Sequence, residues 1–63
     1  MNVDRKETLS ITRSLDKTVV KLTIVENGVN VSYAVKTYES HVAEAVKTAR
    51  AGAQRILDQV NDG

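Results

Sequence analysis

The sequence contains no cysteine, proline, phenylalanine or tryptophan, and two tyrosines are its whole aromatic content. Without cysteine there is no disulfide to staple the fold and no thiolate metal site. The composition fits a reducing compartment, and the cytoplasm is the expected location. With Tyr33 and Tyr38 as the only rings, a base-stacking platform has little to work with. The core must also be built from aliphatic side chains, which bury less area than aromatic rings. His41 is the single histidine, and no second ligand or nucleophile lies at a spacing that would recruit it. No metal, cofactor or catalytic role is expected for it. Nine Lys and Arg against eight Asp and Glu leave a net charge of +1, which gives no general push towards nucleic acid or anionic membranes. No apolar run nears the roughly 18 residues of a membrane span, and the polar, charged start is unlike a secretory signal.

The chain does carry clear patterning. Residues 1–7 mix both signs of charge and read as a flexible lead-in, with a single domain over 8–63. Residues 8–14 alternate, with Leu9 and Ile11 opposed to Thr8, Ser10 and Thr12, the period of a half-buried strand. Residues 14–17 form a turn. From Thr18 to Glu26 the chain is β-branched, with Val20, Leu22 and Ile24 opposed to Val19, Lys21, Thr23 and Val25. Asn27-Gly28 is the strongest short hairpin signal, since a type I′ turn needs positive φ at both central residues. Residues 29–36 alternate again, with Val31, Tyr33 and Val35 on one side.

These turns predict a register. A two-residue loop at Asn27-Gly28 pairs Ile24 with Val31, Leu22 with Tyr33 and Val20 with Val35. A loop at Leu15-Asp16 pairs Ile11 with Val20 and Leu9 with Leu22. Both turns put the same apolar set on one face, and a one-residue slip in either would break the agreement. The period then changes: Val42, Ala45, Val46, Ala49, Ala53, Ile56, Leu57 and Val60 form one stripe of a helix. Thr37 or Ser40 is the expected cap, and residues 61–63 end the helix. The pairs Glu44 with Lys47 and Arg55 with Asp58 fall at i,i+3. A helix of about 21 residues is about 31 Å long, enough to lie across the inner face of the sheet. The expected fold is therefore α+β: a three-stranded antiparallel meander with one C-terminal amphipathic helix packed on one face.

No two carboxylates are spaced to converge in a cleft, so catalysis is not expected. The outer sheet face is the candidate interaction surface, with Val19, Lys21, Thr23, Val25, Ser32, Ala34, Lys36 and Tyr38 as its main residues. It is less polar than a purely solvated face requires, although a wet face is ordinary in an antiparallel sheet. The first strand lacks the usual edge protection before Arg13 and could accept another strand. Gly52, on the shoulder of the helix stripe, points either to close packing on the chain's own sheet or to a helix–helix contact along His41, Thr48, Gly52 and Gln59. The β-β-β-α order resembles that of the arm-binding domains of tyrosine recombinases, which lay a sheet into the DNA major groove, and of short phage-encoded regulators and inhibitors. The likeness is of element order alone, which does not establish function. The expected function is a small non-enzymatic protein–protein interaction module of accessory or inhibitor type, docking to a larger partner as a homodimer. The alternative is a nucleic-acid-binding module using the sheet face, with Arg13, Lys17, Lys21 and Lys36 as its cations.

Overall fold

The computed structural model describes residues 4–62. Three strands, β1 (Arg5–Arg13), β2 (Thr18–Glu26) and β3 (Val29–Thr37), are followed by a single 3₁₀ turn (Glu39–His41) and a helix, α1 (Val42–Asp62). The strands form one antiparallel sheet in the order β1-β2-β3. Its register is the one the two turns require, with Leu9 opposite Leu22 and Ile11 opposite Val20 on one side, and Ile24 opposite Val31 and Leu22 opposite Tyr33 on the other. Asn27 and Gly28 take φ values of 52° and 84°, the positive pair that a type I′ turn demands. At the first hairpin the Ser14 N–H donates to the Lys17 carbonyl over 2.8 Å.

One face of the sheet carries the helix. Val20, Leu22, Ile24 and Val31 are buried beneath Ala45, Ala49, Ala53 and Leu57, with Ile11, Val29, Val35, Val42, Val46 and Ile56 packed around them. The helix contributes mostly alanines at the contact, so its backbone rides low over the strands.

Several expectations are corrected. β1 begins at Arg5 rather than residue 8. Arg5, Lys6 and Glu7 pair with Glu26, Val25 and Ile24, and two of the charges that make this stretch look like a lead-in, Arg5 and Glu7, are engaged in ion pairs. Residues 1–3 of the expected lead-in lie outside the described residues. Neither Thr37 nor Ser40 caps the helix: the chain enters through extended Tyr38 and the 3₁₀ turn, with no side-chain cap. The helix continues through Asn61 and Asp62, while Gly63 lies outside the described residues. Finally, α1 does not span the inner face. It packs on β2 and β3 and has no comparable approach to β1, so Leu9, although on the inner face, is 45% exposed.

Candidate functional site

The residues expected to make the interaction surface do share one face. The pairings place Lys6, Thr8, Ser10 and Thr12 of β1 with Val25, Thr23, Lys21 and Val19 of β2, and these with Asn30, Ser32, Ala34 and Lys36 of β3, all pointing away from the helix. Lys21, Ser32, Ala34 and Lys36 are exposed, and Val19, Thr23 and Val25 are half-buried by their neighbours. Thr23 Oγ1 and Ser32 Oγ lie 3.1 Å apart in a cross-strand hydrogen bond. Tyr38 follows β3 and is 65% exposed.

The inner side of the sheet is where charge is organised. Arg5 donates from Nη1 to Glu26 Oε2 (2.9 Å) and from Nη2 to Glu7 Oε2 (3.0 Å), and also reaches Gln54 Oε1 on the helix at 2.9 Å. Arg50 Nε donates to the other Glu7 oxygen at 3.3 Å. Gln54 in turn donates to Asp58 at 2.9 Å. At the opposite end of β1, Arg13 Nε donates to Glu39 Oε1 at 2.7 Å and Nη2 to Oε2 at 3.2 Å, with the Thr18 hydroxyl donating to the same carboxylate at 3.4 Å. Hydrogen bonds from Arg5 first, and from Arg50, hold the Glu7 carboxyl below its usual range. The Arg13 guanidinium does the same to Glu39.

These networks revise two expectations. Arg13 lies on the inner face, paired with Glu39, and is not part of the outer cationic set; Lys17 sits in the first turn. The helical carboxylates expected to pair at i,i+3 are not in ion pairs among the described residues. The pairs run from helix and 3₁₀ turn to β1 instead. Gly52 is explained within the chain: a Cβ there would lie 2.7 Å from Cγ, Cδ2 and Cε2 of Tyr33. The close approach is therefore to the chain's own sheet.

What the sequence reading missed is the inner margin of β1. Leu9 and Ile11 lie beside the helix flank, next to an open strand edge and between the charged ends at Glu7 and Arg13. The alternation marks both residues as inward, but says nothing of how far the helix reaches. Among the described residues no cavity opens that would enclose a small molecule, no helix is long and apolar enough to cross a membrane, and no three potential metal-ligating side chains gather. The features that stand out are surfaces: a bare outer face and a half-covered inner margin. Comparison with protein-family models, with curated proteins and with solved structures gives no match.

Proposed function

We propose that this chain is a small non-enzymatic docking module, of accessory or inhibitor type, that occupies a surface on a larger protein and does so as a homodimer. The observation that supports this reading is the incomplete cover of the sheet. The helix shields two strands of one face and leaves Leu9 exposed beside a free strand edge. An exposed apolar side chain next to unpaired backbone suits strand addition, and the bare outer face supplies a second apolar-leaning surface through Val19, Val25 and Ala34.

The test is co-purification from the native source with the tagged chain, comparing the wild type with Leu9→Lys and Ala34→Glu. Both positions are exposed, so both variants are expected to fold. A protein retained by the wild type and lost from one variant supports the reading and names the surface. A protein set indifferent to both variants counts against it.

One observation favours a nucleic-acid partner as the second reading. The outer-face strand positions hold Lys6, Lys21 and Lys36 and no carboxylate. Binding to duplex DNA or RNA tighter than about 10⁻⁴ M, weakening steeply with salt and lost on Lys21→Gln with Lys36→Gln, would put this reading ahead.

A further inference from the structure

Resting on the homodimeric docking reading above, we propose that the occupant of the β1 edge is a second copy of this chain, paired antiparallel β1 to β1 about a two-fold axis between the two Ser10 residues. The two sheets then join into one of six strands with both helices on the same face.

The ladder shows which backbone groups are free. The Asp4 carbonyl accepts from the Asn27 N–H at 3.0 Å, and the Ser14 N–H donates to the Lys17 carbonyl at 2.8 Å. Asp4 and Ser14, which flank β1, are both even-numbered, and bonding direction alternates along an antiparallel strand. The even-numbered residues of β1 therefore bond to β2, and Arg5, Glu7, Leu9, Ile11 and Arg13 turn their N–H and C=O groups to the open edge. These are also the residues whose side chains lie on the inner face.

Side chains then select among the registers that keep inner face with inner face. A pairing centred on Leu9 sets Glu7 against Ile11 and Arg5 against Arg13, a carboxylate on an apolar group and like charges together. A pairing centred on Ile11 sets Leu9 against Arg13. Centred on Ser10, Leu9 meets Ile11 of the other copy twice and Glu7 meets Arg13 twice, while Thr8 meets Thr12 on the outer face. Over residues 7–13 apolar pairs with apolar and acid with base, which is favourable for directly opposed residues, while Arg5 falls opposite the turn residue Leu15, beyond the end of the partner's β1. The inner row Tyr33, Leu22, Leu9 continues into Ile11, Val20 and Val35 of the second copy, and its mirror row does the same. The ion-paired ends merge as well, linking Arg5 and Glu7 of one copy to Arg13 and Glu39 of the other. On the other edge, β3, Val31 is buried, Val29 and Val35 are half-buried, and Tyr33, 38% exposed, already lays its ring against Gly52 of the helix.

The chain has no cysteine, so single-cysteine variants give a clean test. In the proposed register the two Ser10 residues form a non-hydrogen-bonded pair, about 4.5 Å between Cα atoms and within disulfide reach. The two Leu9 residues are offset along the strands, about 8 Å apart and beyond reach. Ser10→Cys should oxidise to a covalent dimer while Leu9→Cys stays uncross-linked, both positions being exposed. In the wild type, sedimentation equilibrium should give a mass rising with concentration from 6.9 kDa towards twice that. Over the same range the amides of Glu7, Leu9, Ile11 and Arg13 should become slow to exchange, while those of Thr8, Ser10 and Thr12 should not change. A mass of one chain throughout overturns the second copy as occupant, and the co-purification test then decides whether another protein uses the edge. A dimer that cross-links through Leu9→Cys overturns the register alone. A dimer that leaves the four odd-numbered amides unprotected overturns the edge.

Discussion

At Gly52 the Tyr33 ring occupies the space a side chain would need, with three ring atoms at 2.7 Å from the position of a Cβ. Two effects oppose each other on replacing this glycine. Alanine gains up to about 1 kcal/mol of helix propensity, but overpacking costs about 1–3 kcal/mol when the neighbour must move bodily. The nearest atoms include Cγ, the root of the ring, so the whole ring has to shift. We expect Gly52→Ala to destabilise the wild type and to stabilise a Tyr33→Ala background. A thermal melt of the four chains reads this reversal of sign, and a stabilising Gly52→Ala in the wild type would show that the ring yields freely. Leu22 is 1% exposed on the central strand, and truncation to alanine should cost about 2–5 kcal/mol. In a domain whose net stability is only about 3–5 kcal/mol, this variant should be largely unfolded by circular dichroism at 25 °C.

Among the elements, the hairpins were legible and the helix placement was not. Asn27-Gly28 admits essentially one tight turn, and the alternation of Val20, Leu22 and Ile24 admits one register consistent with it. The start of β1 was hidden because Arg5 and Glu7 show no apolar alternation; ion pairs to Glu26 and Arg50 and a hydrogen bond to Gln54 hold them in place instead. The cover of the sheet was hidden for a different reason. Alternation gives the face a side chain takes but not the width of what lies above. A helix about 10–12 Å across, seated on β2 and β3 through Ala45, Ala49 and Ala53, meets β1 through the polar side chains of Arg50 and Gln54 and not through its apolar stripe. The outer-face site was therefore readable, and the Leu9 margin was not.

The ion pairs that tether β1 make a pH prediction. Glu7 and Glu39 are both held below the ordinary carboxylate value by arginines. A lowered folded-state pKa gives stability that is present above the unfolded value, near 4.3, and is lost as pH falls through the folded value. The melting temperature should be flat from pH 7 to about 5 and drop below about 4.5. Glu39→Gln should lower it at pH 6 and by less at pH 3, because the wild-type carboxyl loses its charge as pH falls through the lowered folded value. Equal gaps at the two pH values would mean that the Arg13–Glu39 pair does not contribute to folding.

The molecule as a whole is a thin two-layer plate, 43 Å long and 14 Å deep, with a radius of gyration of 12.8 Å. A compact globule of this length would have about 11 Å. The extra dimension comes from three nine-residue strands and a 21-residue helix in only two layers, with nothing on the outer face of the sheet among the described residues. Because the helix rests mainly on β2 and β3, β1 is held by its ladder to β2 and by ion pairs, with Ile11 as its apolar contact to the core. That asymmetry sets an order of events in time. The β2–β3 hairpin and α1 can complete their mutual packing without β1, so the transition state for folding should contain those three elements and exclude β1. At concentrations where the chain is monomeric, Val31→Ala should slow folding. Ile11→Ala should leave the folding rate close to that of the wild type and speed unfolding. Stopped-flow chevrons of the two variants separate these limbs, and a slowed folding limb for Ile11→Ala would place β1 in the nucleus. With β1 last to arrive and first to leave, the edge strand should be released on its own before the rest of the chain unfolds.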